Sequence, residues 1–275
     1  MISIIMPVWN GSRFLDRAIA SVLAQTSPEW ELVVVDDAST DNSVMRIERW
    51  RSLVIDHLGE EKIRLESNGI NSGSSVARNR GVAAARHDII AYLDCDDILF
   101  PHRVEVLCEI FREQNSAFDL LFTPYEIFEN GKRKLWHVGA IWEKASYVSS
   151  SAGEREPPFA LWARAYLQRD NLSIPLGIAH RKEMFEKVGG FQTGIILAQE
   201  GVLCRRMADK GARIGLCPVP AGRYFVRPDS QARTERLPSG GGFKIQKDHP
   251  LGSNGQYLDA EWFANLEKKK VVSGE

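Results

Sequence analysis

The sequence predicts an α/β fold: a Rossmann-like, mostly parallel sheet flanked by helices. Three observations predict it. Over roughly the first 115 residues, short apolar runs alternate with stretches whose apolar residues recur at helical spacing. The runs are continuously apolar, as are strands covered on both faces of a parallel sheet. Two acidic clusters, Asp36-Asp37 and Asp94-Cys95-Asp96-Asp97, directly follow such runs. In open sheets of this kind, ligands bind beyond the carboxyl ends of the strands.

Each element has its own signal. Ile2 to Met6 reads as a strand, and Asn10-Gly11-Ser12 as a turn with a capping residue. Leu15, Ala18, Ile19, Val22 and Leu23 then fall on one helical face. Trp30 to Val35 is the next strand, Ala38 to Asn42 a turn and cap, and Ser43 to Leu58 a helix. Ile63 to Leu65 is a third short strand, and Asn68 to Ser75 a Gly/Asn/Ser loop. Val76, Ala77, Gly81 and Ala84 give the following helix a small-residue face for close packing. Ile89 to Leu93 is the fourth strand. If its extended backbone continues, Asp94 and Asp96 face one side and Cys95 the other. Pro101 marks the next helix, with Val104, Leu107, Cys108 and Phe111 as its stripe.

The second half is less regular. Leu120 to Phe128 and Lys132 to Val138 read as a hairpin around Glu129-Asn130-Gly131. Leu176 to Ala179 reads as a strand and Lys182 to Val188 as a helix ending at Gly189-Gly190. Gln199 to Lys210 is a helix stopped at Gly211, and Ile214 to Val219 and Tyr224 to Val226 are strands. The expected organisation is one domain over 1–228, with a nucleotide-binding half (1–115) and an acceptor-binding half (116–228). Residues 229–275 follow as a lid or tail in which Arg233, Arg236, Lys244 and Lys247 lie among glycines.

Composition excludes several classes. A formal net charge of −1 gives no field to attract nucleic acid. The four cysteines form no CxxC pair and no zinc spacing, so free thiols in a reducing compartment are expected. No apolar run is long enough to span a membrane, and the short apolar N-terminus reads as a strand rather than a leader. A cytoplasmic protein is expected. Lys268-Lys269-Lys270 attracts anionic lipid only weakly, so a solvated tail is the first reading and peripheral contact at the inner membrane face the second.

The chemistry concentrates in Asp94-Cys95-Asp96-Asp97. Three crowded carboxylates call for positive charge among them, and a hard divalent cation, Mg²⁺ or Mn²⁺, suits all-oxygen ligands. Such an ion completes its shell with water and substrate phosphate, which points to a phosphate-bearing substrate. A polar strand-end turn is the alternative reading.

Five motifs occur in order: Pro7-Val8-Trp9-Asn10, Val35-Asp36-Asp37-Ala38-Ser39-Thr40-Asp41, Asn71-Ser72-Gly73, Ala77-Arg78-Asn79-Arg80-Gly81 and Asp94-Cys95-Asp96-Asp97. Gly189-Gly190-Phe191 and Gln199-Glu200 continue the series. Together they resemble the family 2 glycosyltransferases of the GT-A fold, over roughly residues 2 to 228. The resemblance implies an inverting hexosyltransferase of polysaccharide biosynthesis, using a nucleotide-sugar donor, UDP-linked, and a saccharide or lipid-linked saccharide acceptor. It implies a donor site of Pro7, Trp9, Asn10, Asp37, Arg78, Asp94, Asp96 and Arg227, with Asp37 on the nucleobase and Asp96 and Asp97 on Mn²⁺ or Mg²⁺. It makes Glu200 the base that takes the acceptor proton.

Three motifs depart from the family pattern. Trp9 stands where Tyr is usual. Gln199-Glu200 replaces a Glu-Asp pair, which lengthens the base by a methylene. Arg227 replaces a histidine; a guanidinium cannot ligate a cation but can fork onto diphosphate oxygens, so it is expected to clamp phosphate. These departures leave room for a second function, a catalytically weak or inactive nucleotide-sugar-binding partner subunit. A nucleotidyltransferase ranks last, because Asn10-Gly11-Ser12-Arg13 is not the Gly-rich, Lys-bearing loop it needs. Trp136, Trp142, Trp162 and Tyr166 are candidates to face acceptor sugar rings. His180 and Arg181 are either acceptor contacts or a packed pair.

Overall fold

The computed structural model describes residues 1–113, 118–136, 174–195, 199–217 and 219–227. The first half alternates β1 (Ile2–Val8), α1 (Ser12–Leu23), β2 (Trp30–Asp36), α2 (Ser43–Leu58), β3 (Ile63–Ser67), α3 (Ser74–Ala84), β4 (Ile89–Tyr92), β5 (Ile98–Leu99) and α4 (Arg103–Glu113). The second half adds β6 (Leu120–Phe122), β7 (Tyr125–Glu129), β8 (Lys132–Trp136), β9 (Ile178–Arg181), α5 (Lys182–Lys187), α6 (Gln199–Asp209), β10 (Ile214–Leu216) and β11 (Gly222–Phe225).

Seven strands form the central sheet in the order β10-β6-β9-β4-β1-β2-β3. All its pairings are parallel except those of β9, which runs antiparallel between β4 and β6. A second sheet, β5-β11-β7-β8, packs four short strands. The alternation of side chains along β1 and β2 divides the core. Ile4, Met6, Val8, Leu32 and Val34 pack with Leu15, Ile19 and Ile47 of α1 and α2. Ile5, Val33 and Val35 pack on the other face with Ala77, Val82, Phe185 and Leu203 of α3, α5 and α6. Both faces are covered, as the continuous apolar runs require.

The small face of α3 has a direct cause. A Cβ on Gly81 would lie 2.4 Å from Ile5 Cγ2 and 3.1 Å from Val35 Cγ2, so only glycine lets the helix lie this close to β1 and β2. The next motif residue, Asn79, is architectural as well. Its side chain donates to the Phe191 carbonyl at 2.9 Å and accepts the Phe191 N–H at 2.8 Å, fastening α3 to the Gly189-Gly190-Phe191 turn.

The structure corrects four local expectations. The aspartate cluster does not prolong β4, which ends at Tyr92. Asp94 to Asp97 is a turn closed by the Asp97 N–H on the Asp94 carbonyl at 3.0 Å, so strand alternation does not govern it. The start of α1 carries no side-chain cap from its own turn. Instead Asp41 accepts the Ser12 N–H at 3.1 Å and Ser43 the Gly11 N–H at 2.9 Å, both from the β2–α2 loop. The run from Leu120 to Phe128 is two strands in two sheets, parted at Pro124, which has no N–H for the ladder. Leu176 lies in a 3₁₀ turn, Pro175–Gly177, that precedes β9. Contacts divide the chain into Met1–Arg227 and Pro228–Glu275. The second unit lies outside the described residues, as do Trp142, Trp162 and Tyr166.

Candidate active site

The site gathers at the carboxyl ends of β1, β2 and β4, joined by the start of α6 and the end of β11. At its centre is the Asp94–Asp97 turn, held from below and from the side. Asp97 is 1% exposed, and its carboxylate accepts the Phe225 N–H at 3.0 Å. Arg17 of α1 donates to the Asp96 carbonyl at 2.6 Å while its guanidinium lies 3.7 Å from the centre of the Phe225 ring. The turn and β11 are therefore locked together. Just past β11, Arg227 reaches back. Its Nη2 lies 2.5 Å from Asp96 Oδ2, and its guanidinium stacks 4.3 Å from the centre of the Phe14 ring.

Burial pushes the Asp96 and Asp97 carboxyls above the usual carboxylate range, and the neighbouring aspartates add to this. Arg227 pulls Asp96 back toward ionisation. Cys95 sits against Gly11, where an added Cβ would be 2.8 Å from its sulfur. Burial raises its thiol strongly, so it packs rather than ligates.

Arg78 joins this turn to α6. The residue is 5% exposed. Nη2 donates to Asp94 at 2.8 Å, and Nη1 to Glu200 at 3.1 Å and to the Gln199 side-chain carbonyl at 3.0 Å. The Phe191 ring lies 5.6 Å from it. Gln199 is held in turn by the Ser74 hydroxyl at 3.0 Å and by its own bond to the Ile195 carbonyl at 2.8 Å. Burial raises the Glu200 carboxyl, and Arg78 opposes it. A helix start favours an ionised carboxylate, but at Glu200 desolvation outweighs that position, and the arginine supplies the counter-charge.

Asp37 has a role that spacing did not reveal. Its buried carboxylate accepts the Asn68 side chain at 2.7 Å, the Ser72 N–H at 2.9 Å and the Gly73 N–H at 2.7 Å. It thereby holds the whole Asn68–Gly73 loop in place. Asp36 accepts the Ser39 N–H at 3.3 Å, bracing Ala38, which adopts a left-handed φ of 61°. Asn10 ties the β1–α1 turn to that β2–α2 loop, its side-chain carbonyl accepting the Thr40 N–H at 2.8 Å. Above these fixed groups two large apolar side chains stand open: Trp9 is 57% exposed and Ile70, on the loop held by Asp37, 72%. Pro7, close before Trp9 in sequence, is half-buried near the end of β1.

The donor set fits a hard cation. Asp94 and Asp96 are oxygen-only and partly exposed, at 27% and 16%, on one turn where carboxylate repulsion is already met by two guanidinium groups. Among the described residues no group of three or more His, Cys, Asp or Glu side chains is placed to hold an ion. The protein would thus offer one or two carboxylates and leave the remaining positions to phosphate and water, as Mg²⁺ sites commonly do.

Other candidates lie apart from this centre. His180 is fully buried in the sheet, accepting the Tyr92 hydroxyl at Nε2 (2.7 Å) and stacking on Phe185 at 5.3 Å; it is a core residue. Arg181 donates to the Phe118 carbonyl at 3.1 Å. Arg17 and Gln199 had not been singled out as site braces. No local pattern marks Arg17, because its partner Asp96 is 79 positions away. No helix among the described residues is long and apolar enough to cross a membrane.

Comparison with known proteins agrees with this geometry. The chain is 40% identical over 190 residues to an uncharacterised glycosyltransferase of Nostoc sp., covering 68% of this chain and 52% of that protein. It is 33% identical over 130 residues to the UDP-Glc:alpha-D-GlcNAc-diphosphoundecaprenol beta-1,3-glucosyltransferase WfgD of Escherichia coli, 47% of each chain. The chain spans about half the length of the curated relatives it matches. In architecture it resembles the mannosyltransferase PcManGT of Pyrobaculum calidifontis, solved with GDP-Man and Mn²⁺. That match has a TM-score of 0.60 at 18% identity and covers 85% of this chain and 59% of the other. The fold is GT-A. The family model for glycosyl transferase family 2 matches residues 3–178, which carry every strand-end acid described above, and the chain belongs to that family.

Proposed function

We propose that this chain is a metal-dependent, inverting glycosyltransferase. It moves a sugar, a hexose by type, from a UDP-sugar to a hydroxyl on a saccharide or lipid-linked saccharide. One observation carries the reading: a single buried guanidinium, Arg78, bonds both Asp94 at the donor rim and Glu200 at the start of α6. It sets the group suited to take the acceptor proton a fixed distance from the group suited to face the donor. The WfgD relative, named for a UDP-Glc donor, a lipid-linked acceptor and a beta linkage, supports the donor and acceptor classes.

The residues divide the work. Trp9 and Pro7 wall the nucleobase, with Ile70 on the opposite loop and Asn10 fixing the turn beneath. Asp37 accepts three bonds from its loop. An ionised carboxylate has about four lone-pair sites, so one remains for an imide N–H. Asp94 faces the ribose side. Asp96 would hold Mn²⁺ or Mg²⁺ with Asp97 buried beneath it, and the ion would act as a Lewis acid on the departing diphosphate. Arg227 would fork onto that diphosphate. Glu200 takes the acceptor proton, and one displacement inverts the anomeric centre.

Release of UDP from UDP-sugars in Mn²⁺ tests the reading. Glu200→Gln should lower turnover about 10²–10⁴-fold, the usual worth of a general base. UDP should raise the thermal midpoint only with metal present, and Asp96→Ala should abolish that gain. Equal stabilisation by UDP in EDTA would count against the metal assignment.

A second reading, a nucleotide-sugar-binding partner subunit, is favoured by the pairing of Glu200 with Arg78, since a carboxylate held by a guanidinium is a weaker base. Metal-dependent UDP binding with no UDP released above background would establish it.

A further inference from the structure

We propose that a cavity at the amino edge of the central sheet is a second binding site, for a small oxyanion carried on an apolar body, with Arg181 as the anchor of the oxyanion. The inference stands apart from the donor site and does not depend on the reaction performed there.

The cavity has a volume of about 420 Å³, within the range of about 300–1,000 Å³ common to small-ligand pockets. It lies where β1 and β4 begin and antiparallel β9 ends, at the opposite end of these strands from the aspartate turn. Part of its wall is apolar, from the buried side chains of Ile2, Ile89 and Phe111. The rest is basic. Arg86, Arg112 and Arg181 line it against a single acid, Asp88, and burial keeps the adjoining His87 neutral at pH 7.

The three arginines differ in what already holds them. Arg112 pairs with Glu29, and Arg86 has Glu61 at 3.7 Å. Half-buried Arg181 pairs with no carboxylate among the described residues. Its Nε donates to the Phe118 carbonyl at 3.1 Å, which restrains the guanidinium fork, and the Phe111 ring centre lies 5.4 Å from its guanidinium carbon. Its two Nη groups make no hydrogen bond among these residues. Asp119 feels the charge of Arg181, but Arg213 takes both oxygens of that carboxylate, at 2.8 and 3.0 Å. A restrained fork with both outer nitrogens unused, set at the wall of a cavity, matches a carboxylate or phosphate. The Phe111 side of the same cavity matches an aliphatic or aromatic body. No rearrangement is needed, because fork and apolar wall are already in place.

Calorimetric titration of the full chain in EDTA, with hexyl phosphate and with hexanoate, tests this. At least one should bind with a Kd on the order of 1 mM or tighter, about what so small a ligand gains at modest efficiency per atom; the tighter of the two identifies the preferred head group. Methyl phosphate should bind at least about tenfold more weakly than hexyl phosphate, because it leaves the apolar wall uncovered. Arg181→Gln should weaken the tighter probe about tenfold, the worth of a hydrogen bond to a charged group. Arg86→Glu, an exposed charge reversal, should weaken it about threefold. Asp96→Ala should leave it unchanged, since the donor rim lies at the other end of the strands. Binding by neither probe, methyl phosphate as tight as hexyl phosphate, or an altered affinity in Asp96→Ala overturns the proposal. Wild-type affinity in Arg181→Gln does so too; if the thermal midpoint shows that this variant does not fold, wild-type affinity in Arg86→Glu overturns it instead.

Discussion

Arg78 must satisfy two carboxylates with one positive charge. It can, because its planar fork presents separate N–H groups to Asp94 and Glu200, which a lysine cannot do at once. A third acid at position 199 would divide that charge further. Glutamine there instead accepts a bond and adds no charge. The consequence for acid–base behaviour has a definite sign. Burial raises the Glu200 carboxyl and Arg78 lowers it, so removing the arginine raises it further. Since a base works only when ionised, kcat/KM should fall on the acid side at a pH above the ordinary carboxylate range. In Arg78→Met that limb should move to still higher pH, beyond any loss in the plateau rate. Identical acid limbs in the two proteins would show that Glu200 is not the group titrating. The pairing of Arg78 with Glu200 was out of reach of the sequence, which showed both residues but not that 122 positions of chain separation close to one hydrogen bond.

At the scale of elements, α3 owes its placement to two motif residues that look functional. Gly81 brings α3 against β1 and β2, with an added methyl 2.4 Å from Ile5 Cγ2. Gly81→Ala should therefore destabilise the fold by about 1–3 kcal/mol through overpacking, against the small gain that alanine brings to an exposed helix. A urea midpoint equal to or above wild type would contradict the close packing. Asn79→Ala cuts both bonds to Phe191, the ring beside Arg78. It should cost roughly 2 kcal/mol, given about 1 kcal/mol for each bond, and should also lower kcat, because the arginine loses its aromatic neighbour's fixed position. Loss of stability with kcat untouched would limit Asn79 to architecture. Elements with a strong internal period, such as α1, α2 and β2, were readable from their own residues. The turn at Asp94, the cap of α1 and the break at Pro124 were not, because each is decided by a partner elsewhere. Asp41 caps a helix 29 positions earlier. The aspartate turn takes its shape from Arg17 and Phe225.

At the scale of the whole described unit, the parallel half of the sheet follows from alternating strand and helix. The insertion of antiparallel β9 between β4 and β6 does not, since four residues with no marked period carry it. His180 is the polar centre of that seam, opposite Ile90 on one side and Leu120 on the other. Its Nδ1–H donates to the Arg181 carbonyl at 3.0 Å, its Nε2 accepts the Tyr92 hydroxyl, and Phe185 covers its ring. Burial lowers its pKa to about 4. The neutral ring is therefore native, and the unfolded chain binds the extra proton between pH 6.5 and about 4. Stability should be unaffected by His180 above pH 6.5 and should decline below it, by roughly 3 kcal/mol at pH 4 for the full shift. His87 and His102, also lowered by burial, act in the same direction. The raised carboxyls of Asp96, Asp97 and Glu200 act in the opposite direction, so the wild-type slope alone is a mixture. The difference between wild type and His180→Gln isolates one contributor. Glutamine can still bond Tyr92 but does not titrate, so this variant should be less stable at pH 7 through lost ring stacking. It should lose less than wild type on going from pH 7 to pH 5. Parallel urea midpoints for the two proteins across that interval would mean that the proton goes elsewhere and that the seam between β4 and β6 is not sensitive to acid through His180.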